Sequence, residues 1–166
     1  MNVCTSDSHD AHSALYNCGK NLVPFGGELY LLKQFYRLPE SDRLFAELET
    51  GLVWPRPWTT ELQSVRAQAE RQCQCAFNSV LANLYRDGKD SMGCHADDEK
   101  ELGLNPVIAS LSLGDERLFK LHHKTHEETL DIKLGHGDLL VMAGSLQHHW
   151  IHSVPKTRKF KTPRIN

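Results

Sequence analysis

From Phe77 onward the chain reads as short strands broken at close intervals by turn signals, and this pattern constrains its fold more than any other feature. The runs Ser79–Arg86, Met92–His95, Val107–Leu113, Leu118–His122, Thr129–Leu134, Leu139–Ala143 and His148–Ser153 are separated by Asp87-Gly88, Gly114-Asp115, Gly135-His136-Gly137-Asp138 and Gly144-Ser145. Many short strands with such punctuation predict a sandwich or jelly-roll barrel. The first half differs. Gly27–Tyr36 is a β-leaning apolar run, and Leu38-Pro39-Glu40-Ser41 opens a helix through about Thr50 with Leu44, Phe45 and Leu48 on one face. A second helix runs from Thr59/Thr60 to about Gln74, with Leu62, Val65 and Ala69 inward, and the Pro- and Trp-rich stretch Gly51–Trp58 between the helices is irregular. Helices first and strands after, without βαβ alternation, exclude a parallel Rossmann-type sheet. The fold class is therefore mainly β with N-terminal helices (α+β).

Residues 1–20 are polar and aperiodic and read as a loose leader. Residues 21–166 form one domain, with helical support over 21–76 and the jelly-roll core over 77–166. At 166 residues the chain has length for one such domain, on the soft prior of roughly 100–200 residues each.

The strand edges carry the chemistry. His95-Ala96-Asp97 brings two ligand side chains to the same side of an extended segment, because side chains alternate faces with a period of two. A lone His-x-Asp is more often surface polarity than ligation. Here His152 closes a second strand, and Arg164-Ile165-Asn166 follows. Two imidazoles and one carboxylate form the facial triad of non-haem Fe(II) oxygenases, which leaves one face of the metal open. Such a set neutralises half of the Fe(II) charge and leaves it able to take an anionic chelating cosubstrate. 2-Oxoglutarate suits it, with a cation deeper in the barrel for its distal carboxylate. In His148-His149-Trp150-Ile151-His152, alternation puts His148 and His152 on one face, so His148 is an alternative ligand or a supporting partner. His122, His123 and His126 read as a solvated hairpin.

A formal net charge of -2 gives no global basic signature, although Lys156 to Arg164 is locally basic. The five cysteines are irregularly spaced, and Cys73-Gln74-Cys75 is too close for a zinc-finger pair. With no signal peptide and no run that spans a bilayer, the expectation is free thiols, no membrane association and a cytoplasmic, intracellular location, with the nucleus as the alternative in a eukaryote.

The blocks Asn83-Leu84-Tyr85-Arg86-Asp87-Gly88, His95-Ala96-Asp97-Asp98-Glu99, Pro106 to Gly114, Gly137 to Met142, His149 to Pro155 and Pro163-Arg164-Ile165-Asn166 together resemble the AlkB-type alkylated nucleic acid repair dioxygenases. The resemblance implies a double-stranded β-helix core and dependence on Fe(II), 2-oxoglutarate and O2. It further implies oxidative dealkylation of bases such as 1-methyladenine and 3-methylcytosine in DNA or RNA, with release of formaldehyde, succinate and CO2. In its terms His95, Asp97 and His152 hold the metal, while Asn83, Tyr85, Arg164 and Asn166 lie on 2-oxoglutarate. Asp98 faces the exocyclic amine of a flipped base. The partner is alkylated DNA or RNA, with no obligate protein partner. N1- or N3-alkylated bases carry positive charge, so a carboxylate at the pocket mouth favours them, and a damaged base is easier to flip.

The chain departs from the family pattern in three ways. The aromatic segment that covers a flipped base is missing where Trp54 meets Pro55. A second Arg, expected six residues after Arg164 to clamp the distal carboxylate, is absent because the chain stops at Asn166. Cys94 stands where a non-thiol residue is expected before His95. The domain is accordingly expected to be C-terminally incomplete, with an unpaired edge beside Arg164. Two other readings follow: a catalytically impaired metal-binding remnant or fragment, and a 2-oxoglutarate oxygenase for a small molecule or protein side chain.

Overall fold

The computed structural model describes residues 2–4, 19–51 and 58–166. In chain order the elements are β1 (Asn2–Cys4), β2 (Glu28–Leu32), α1 (Leu38–Gly51), α2 (Thr60–Cys73), β3 (Ser79–Val80), β4 (Leu84–Tyr85), β5 (Met92–His95) and β6 (Val107–Gly114). There follow β7 (Arg117–His123), β8 (Thr129–Leu134), β9 (Asp138–Ala143), α3 (Leu146–His149), β10 (Trp150–Val154) and β11 (Arg164–Ile165). Two antiparallel sheets face each other, as a jelly roll requires. The larger runs β2-β9-β6-β1-β3 and carries β11 and β4 on the same side of β6 as β1; the smaller runs β5-β10-β7-β8.

Alternation along the strands separates the core into layers. On β6 and β9, Ile108, Leu140 and Met142 point between the sheets, where they meet Phe119, Leu121, Ile132, Leu134, Trp150 and Val154 of the smaller sheet. The intervening Val107, Ala109, Leu139, Val141 and Ala143 pack on the other side with Ala69 and Cys73 of α2. Because β9 is covered on both faces, its stretch Leu139–Ala143 is an unbroken apolar run instead of an alternating one. Leu44 of α1 fits against Val65 and Leu113 in a third cluster. Thr59 caps α2 by accepting from the Leu62 amide, and Gln74, left-handed at φ 49°, ends it.

Turns at the end of the barrel away from His95 are tied by Asp138, which accepts from the amides of Gly135 and Gln34 and from Lys33 Nζ. Gly137 is left-handed (φ 80°) where the turn crosses the chain at Tyr36 and Ser41, with no room for a Cβ.

The expected strands are present with four corrections. Ser79–Arg86 is two short strands, β3 and β4, separated by irregular chain, so each pairs with a different neighbour. The expected strand His148–Ser153 is the helical turn α3 followed by β10. Asn2–Cys4, inside the expected leader, pairs with both β3 and β6; three residues are too few to show a period. The edge beside Arg164 is not open: β11 lies between β4 and β6, with Arg164 opposite both Tyr85 and Gly114. Residues 1 and 5–18 of the leader and the expected site of the missing covering segment at Trp54–Pro55 fall outside the described residues.

Candidate metal centre and its cleft

The centre starts from a register. His152 of β10 lies directly opposite His95 of β5, and the register shifts before the next pair, Val154 opposite Met92. β5 therefore holds one extra residue, a bulge of the kind that re-aims side chains. Directly opposed strand residues have neighbouring side chains, and the two imidazole centroids are 4.3 Å apart. Asp97, just past β5, completes the group: its carboxylate oxygens lie 3.7 Å from His95 Nε2 and 3.5 Å from His152 Nε2.

The surroundings of these three groups suit a cation. His95 Nδ1–H donates to the Gly93 carbonyl at 2.8 Å, which leaves the Nε2 lone pair toward Asp97. His152 is 1% exposed, and among the described residues neither of its ring nitrogens nor Asp97 Oδ2 has a hydrogen-bond partner. Buried polar atoms are almost always paired, and two of these, His152 Nε2 and Asp97 Oδ2, face each other at 3.5 Å, as two donors to one cation would. Burial, reinforced by His95, pushes the His152 pKa down to about 3, which keeps it a neutral donor. Burial raises the Asp97 carboxyl, with His95 working against the rise; a nearby divalent cation reverses that. One donor atom from each residue fits within 4.8 Å. The set fits a divalent metal held on one side, and His95, Asp97 and His152 are drawn together as the sequence spacing implied.

A cleft of about 210 Å³ opens beside the triad, lined by Asn83, Tyr85, Met92, Phe119, Val154 and Asn166 among others. Asn83 and Asn166, which flank β4 and β11, form part of its wall. The backbones of Asn83 and Asn166 exchange two hydrogen bonds, and Asn166 Nδ2 donates to Ser110 Oγ and the Leu111 carbonyl. Arg164 is 1% exposed and stands behind the Tyr85 ring, off the cleft wall itself, with its guanidinium carbon 5.5 Å from the ring centre. Nη2 donates to Ser112 Oγ at 2.8 Å, while Nε and Nη1 have no partner among the described residues. Burial pushes this guanidinium down to about 10 and raises the Tyr85 phenol.

Arg117 lies on the same ring, but its donors reach the carbonyls of Asp87, Asp90 and Pro155. Arg164 is the one of the two with donors to spare for an anion. Ser110 and Ser112 were not singled out from sequence. The signal was present: they continue the inward face of β6 begun by Ile108, where an apolar residue is otherwise expected.

At the mouth, Asp98 is more than half exposed and sits 3.6 Å from Lys124 Nζ, outside the cleft lining; its neighbour Glu99 is in it. His148 is not a ligand. It turns away within α3, with Nε2 2.6 Å from the Leu104 carbonyl. His123 is buried, and its Nδ1 accepts from the amides of Thr125 and His126, so that part of the hairpin is not solvated. Cys94 is exposed.

Solved structures place the fold. The chain superposes on the structure of OsALKBH1 with TM-score 0.55 at 15% identity, covering 88% of this chain and 97% of that one. It superposes on a Pseudomonas putida prolyl-4-hydroxylase with TM-score 0.61, also at 15% identity, covering 97% and 94%. In sequence it is 43% identical over 122 residues to alpha-ketoglutarate-dependent dioxygenase alkB homolog 3 of Mus musculus, covering 68% of this chain and 43% of the relative. It is 40% identical over 166 residues to DNA oxidative demethylase ALKBH2 of Bos taurus, covering 89% and 59%. The chain thus spans 43% to 59% of the length of these two relatives. The family model of the 2OG-Fe(II) oxygenase superfamily matches residues 37–166, a span that includes the triad and β11, and the chain belongs to that superfamily.

Proposed function

We propose that this chain carries the catalytic core of an oxidative dealkylase acting on N-alkylated bases such as 1-methyladenine and 3-methylcytosine in DNA or RNA. The observation that carries the reading is a pairing across one cleft. One ligand atom each from His95, Asp97 and His152 gathers at one end, and behind the other lies a buried guanidinium whose Nε and Nη1 have no partner among the described residues. The superfamily's cofactors are Fe(II), 2-oxoglutarate and O2, and together they supply the oxidation by which a methyl carbon leaves as formaldehyde.

The chain's own residues supply position and field. His95 Nε2, Asp97 and His152 would hold the metal. Phe119 stacks on the His152 ring at 5.2 Å and keeps water from that face. Arg164, its guanidinium fixed by Ser112, would meet the distal carboxylate of the cosubstrate, and Asn83 and Asn166 would flank it in the cleft. Arg164 thereby takes the role assigned from sequence to a second, more distant Arg. At the mouth the carboxylates of Asp98 and Glu99 favour a cationic alkylated base over its neutral parent. The names of the relatives, alkB homolog 3 and DNA oxidative demethylase ALKBH2, support a nucleic-acid substrate.

The test is formaldehyde release from oligonucleotides bearing 1-methyladenine or 3-methylcytosine, supplied with Fe(II) and 2-oxoglutarate. Release that depends on both additions is expected. Steady 2-oxoglutarate decay without formaldehyde from either lesion would sink the substrate assignment while sparing the metal site.

A further inference from the structure

Asp97 reaches the two imidazoles from a loop, not from a strand, so no sheet ladder sets its position. A buried side chain does so instead. The Asp97 amide donates to Gln147 Oε1 at 3.0 Å, and Gln147 is 1% exposed. Gln147 sits in α3, the helical turn that leads into β10 and His152. Among the described residues the other end of its carboxamide meets a soft neighbour, Met142 Sδ, at 3.7 Å from Nε2. The orientation is therefore fixed by the Asp97 N–H, since the reversed carboxamide would set donor against donor. α3 is itself held from the mouth: Lys124 Nζ donates to the Gln147 carbonyl at 2.8 Å, and the Lys124 amide donates to the His149 carbonyl at 2.8 Å.

We propose that Gln147 is a positioning residue of the metal centre, holding the Asp97 carboxylate in register with His95 and His152. The inference rests on the reading that these three residues bind a divalent metal. Gln147 touches neither metal nor substrate; it acts through the backbone of a ligand, as groups that orient metal ligands do elsewhere. Its loss lets the Asp97 loop drift while both imidazoles stay paired across β5 and β10.

The experiment is Co(II) binding to the full chain, followed by calorimetry and by the visible d–d absorption, with the melting temperature of the metal-free protein measured alongside. Gln147→Met fills a similar volume without an oxygen acceptor. Leu44→Ala lowers stability from a separate core cluster beneath α1. Gln147→Met is expected to bind Co(II) about 10–100-fold more weakly with an altered d–d band, and Leu44→Ala is expected to bind it as the parent does. A Gln147→Met protein that fails to fold, binds Co(II) like the parent, or loses affinity only as Leu44→Ala does overturns the proposal. If the parent chain takes up no Co(II), the metal reading itself falls and this inference falls with it.

Discussion

Replacing Arg164 with methionine separates stability from function. Burial pushes the guanidinium from 12.5 to about 10. At roughly 1.36 kcal/mol per pKa unit, keeping it charged inside the fold costs on the order of 3 kcal/mol. The sign is destabilising, because a base with a lowered pKa is less well accommodated charged in the folded state than in the unfolded one. The hydrogen bond to Ser112 offsets about 1 kcal/mol of this, and the Tyr85 ring about another 1 kcal/mol. A methionine removes all three contributions, and replacing buried charges with apolar groups of similar volume is often stabilising. Metal-free Arg164→Met is therefore expected to gain about 1 kcal/mol, a rise in Tm of about 2–4 °C.

Cosubstrate binding should move the other way. The two free donors contribute roughly 1.5–3 kcal/mol each to a bound carboxylate. Their loss weakens 2-oxoglutarate by about 10²–10⁴-fold. Thermal melts with Mn(II), with and without 2-oxoglutarate, read both effects. The parent at one hundred times its Kd gains about 2.7 kcal/mol, and Arg164→Met gains almost nothing. A variant that melts several degrees lower without ligand and still responds to 2-oxoglutarate would refute the assignment of Arg164 as a buried, waiting anion site.

Other expectations are separately measurable. His95→Ala, Asp97→Ala and His152→Ala should each abolish formaldehyde release, and turnover surviving in any of them removes that residue from the ligand set. Asp98→Asn should slow release from the methylated base while leaving uncoupled 2-oxoglutarate decay unchanged; equal loss of both argues against a base-reading role. In the metal-free protein His152 has a folded pKa of about 3 against 6.5. The unfolded chain thus takes up a proton that the fold refuses, and stability falls as pH drops from 6.5 toward 3. Asp97, raised by burial, works in the opposite sense, so the slope should be read as the difference between the parent and His152→Phe in urea titrations. An identical slope in both would contradict the burial of His152. Gly137→Ala forces a Cβ into Tyr36 and Ser41 from a left-handed backbone and should cost about 3 kcal/mol or more; an unchanged Tm would show that the turn relaxes freely.

What could be read from the sequence followed from periodicity and punctuation. Met92–His95 and Thr129–Leu134 are strands with the expected bounds because turn residues fence short alternating runs. The helix boundaries at Leu38 and Thr60 follow from Pro39 and the Thr59 cap. What escaped depends on partners distant in sequence. Nothing local marks Asn2–Cys4 as a strand, since its hydrogen bonds come from β3 and β6. Nothing local shows that His148 leaves the strand face, because α3 is held by distant partners, the Asp97 amide on the Gln147 carboxamide and Lys124 Nζ on the Gln147 carbonyl. The triad was legible by spacing and by resemblance, yet the bulge that sets His95 opposite His152 was not. The sequence comparison also sought the distal clamp beyond Asn166, whereas the buried free donors belong to Arg164, and only its position between β4 and β6 reveals that.

The most direct measurement is a crystal structure of the chain soaked with Mn(II) and 2-oxoglutarate, with the metal located by its anomalous scattering. The expected result is one metal contacted by His95 Nε2, Asp97 and His152, with the chelating end of 2-oxoglutarate on its open face and the far carboxylate on Nε and Nη1 of Arg164. A metal bound elsewhere, or a cosubstrate whose far carboxylate leaves Arg164 unpaired behind Tyr85, would contradict the reading of this cleft as the oxygenase site.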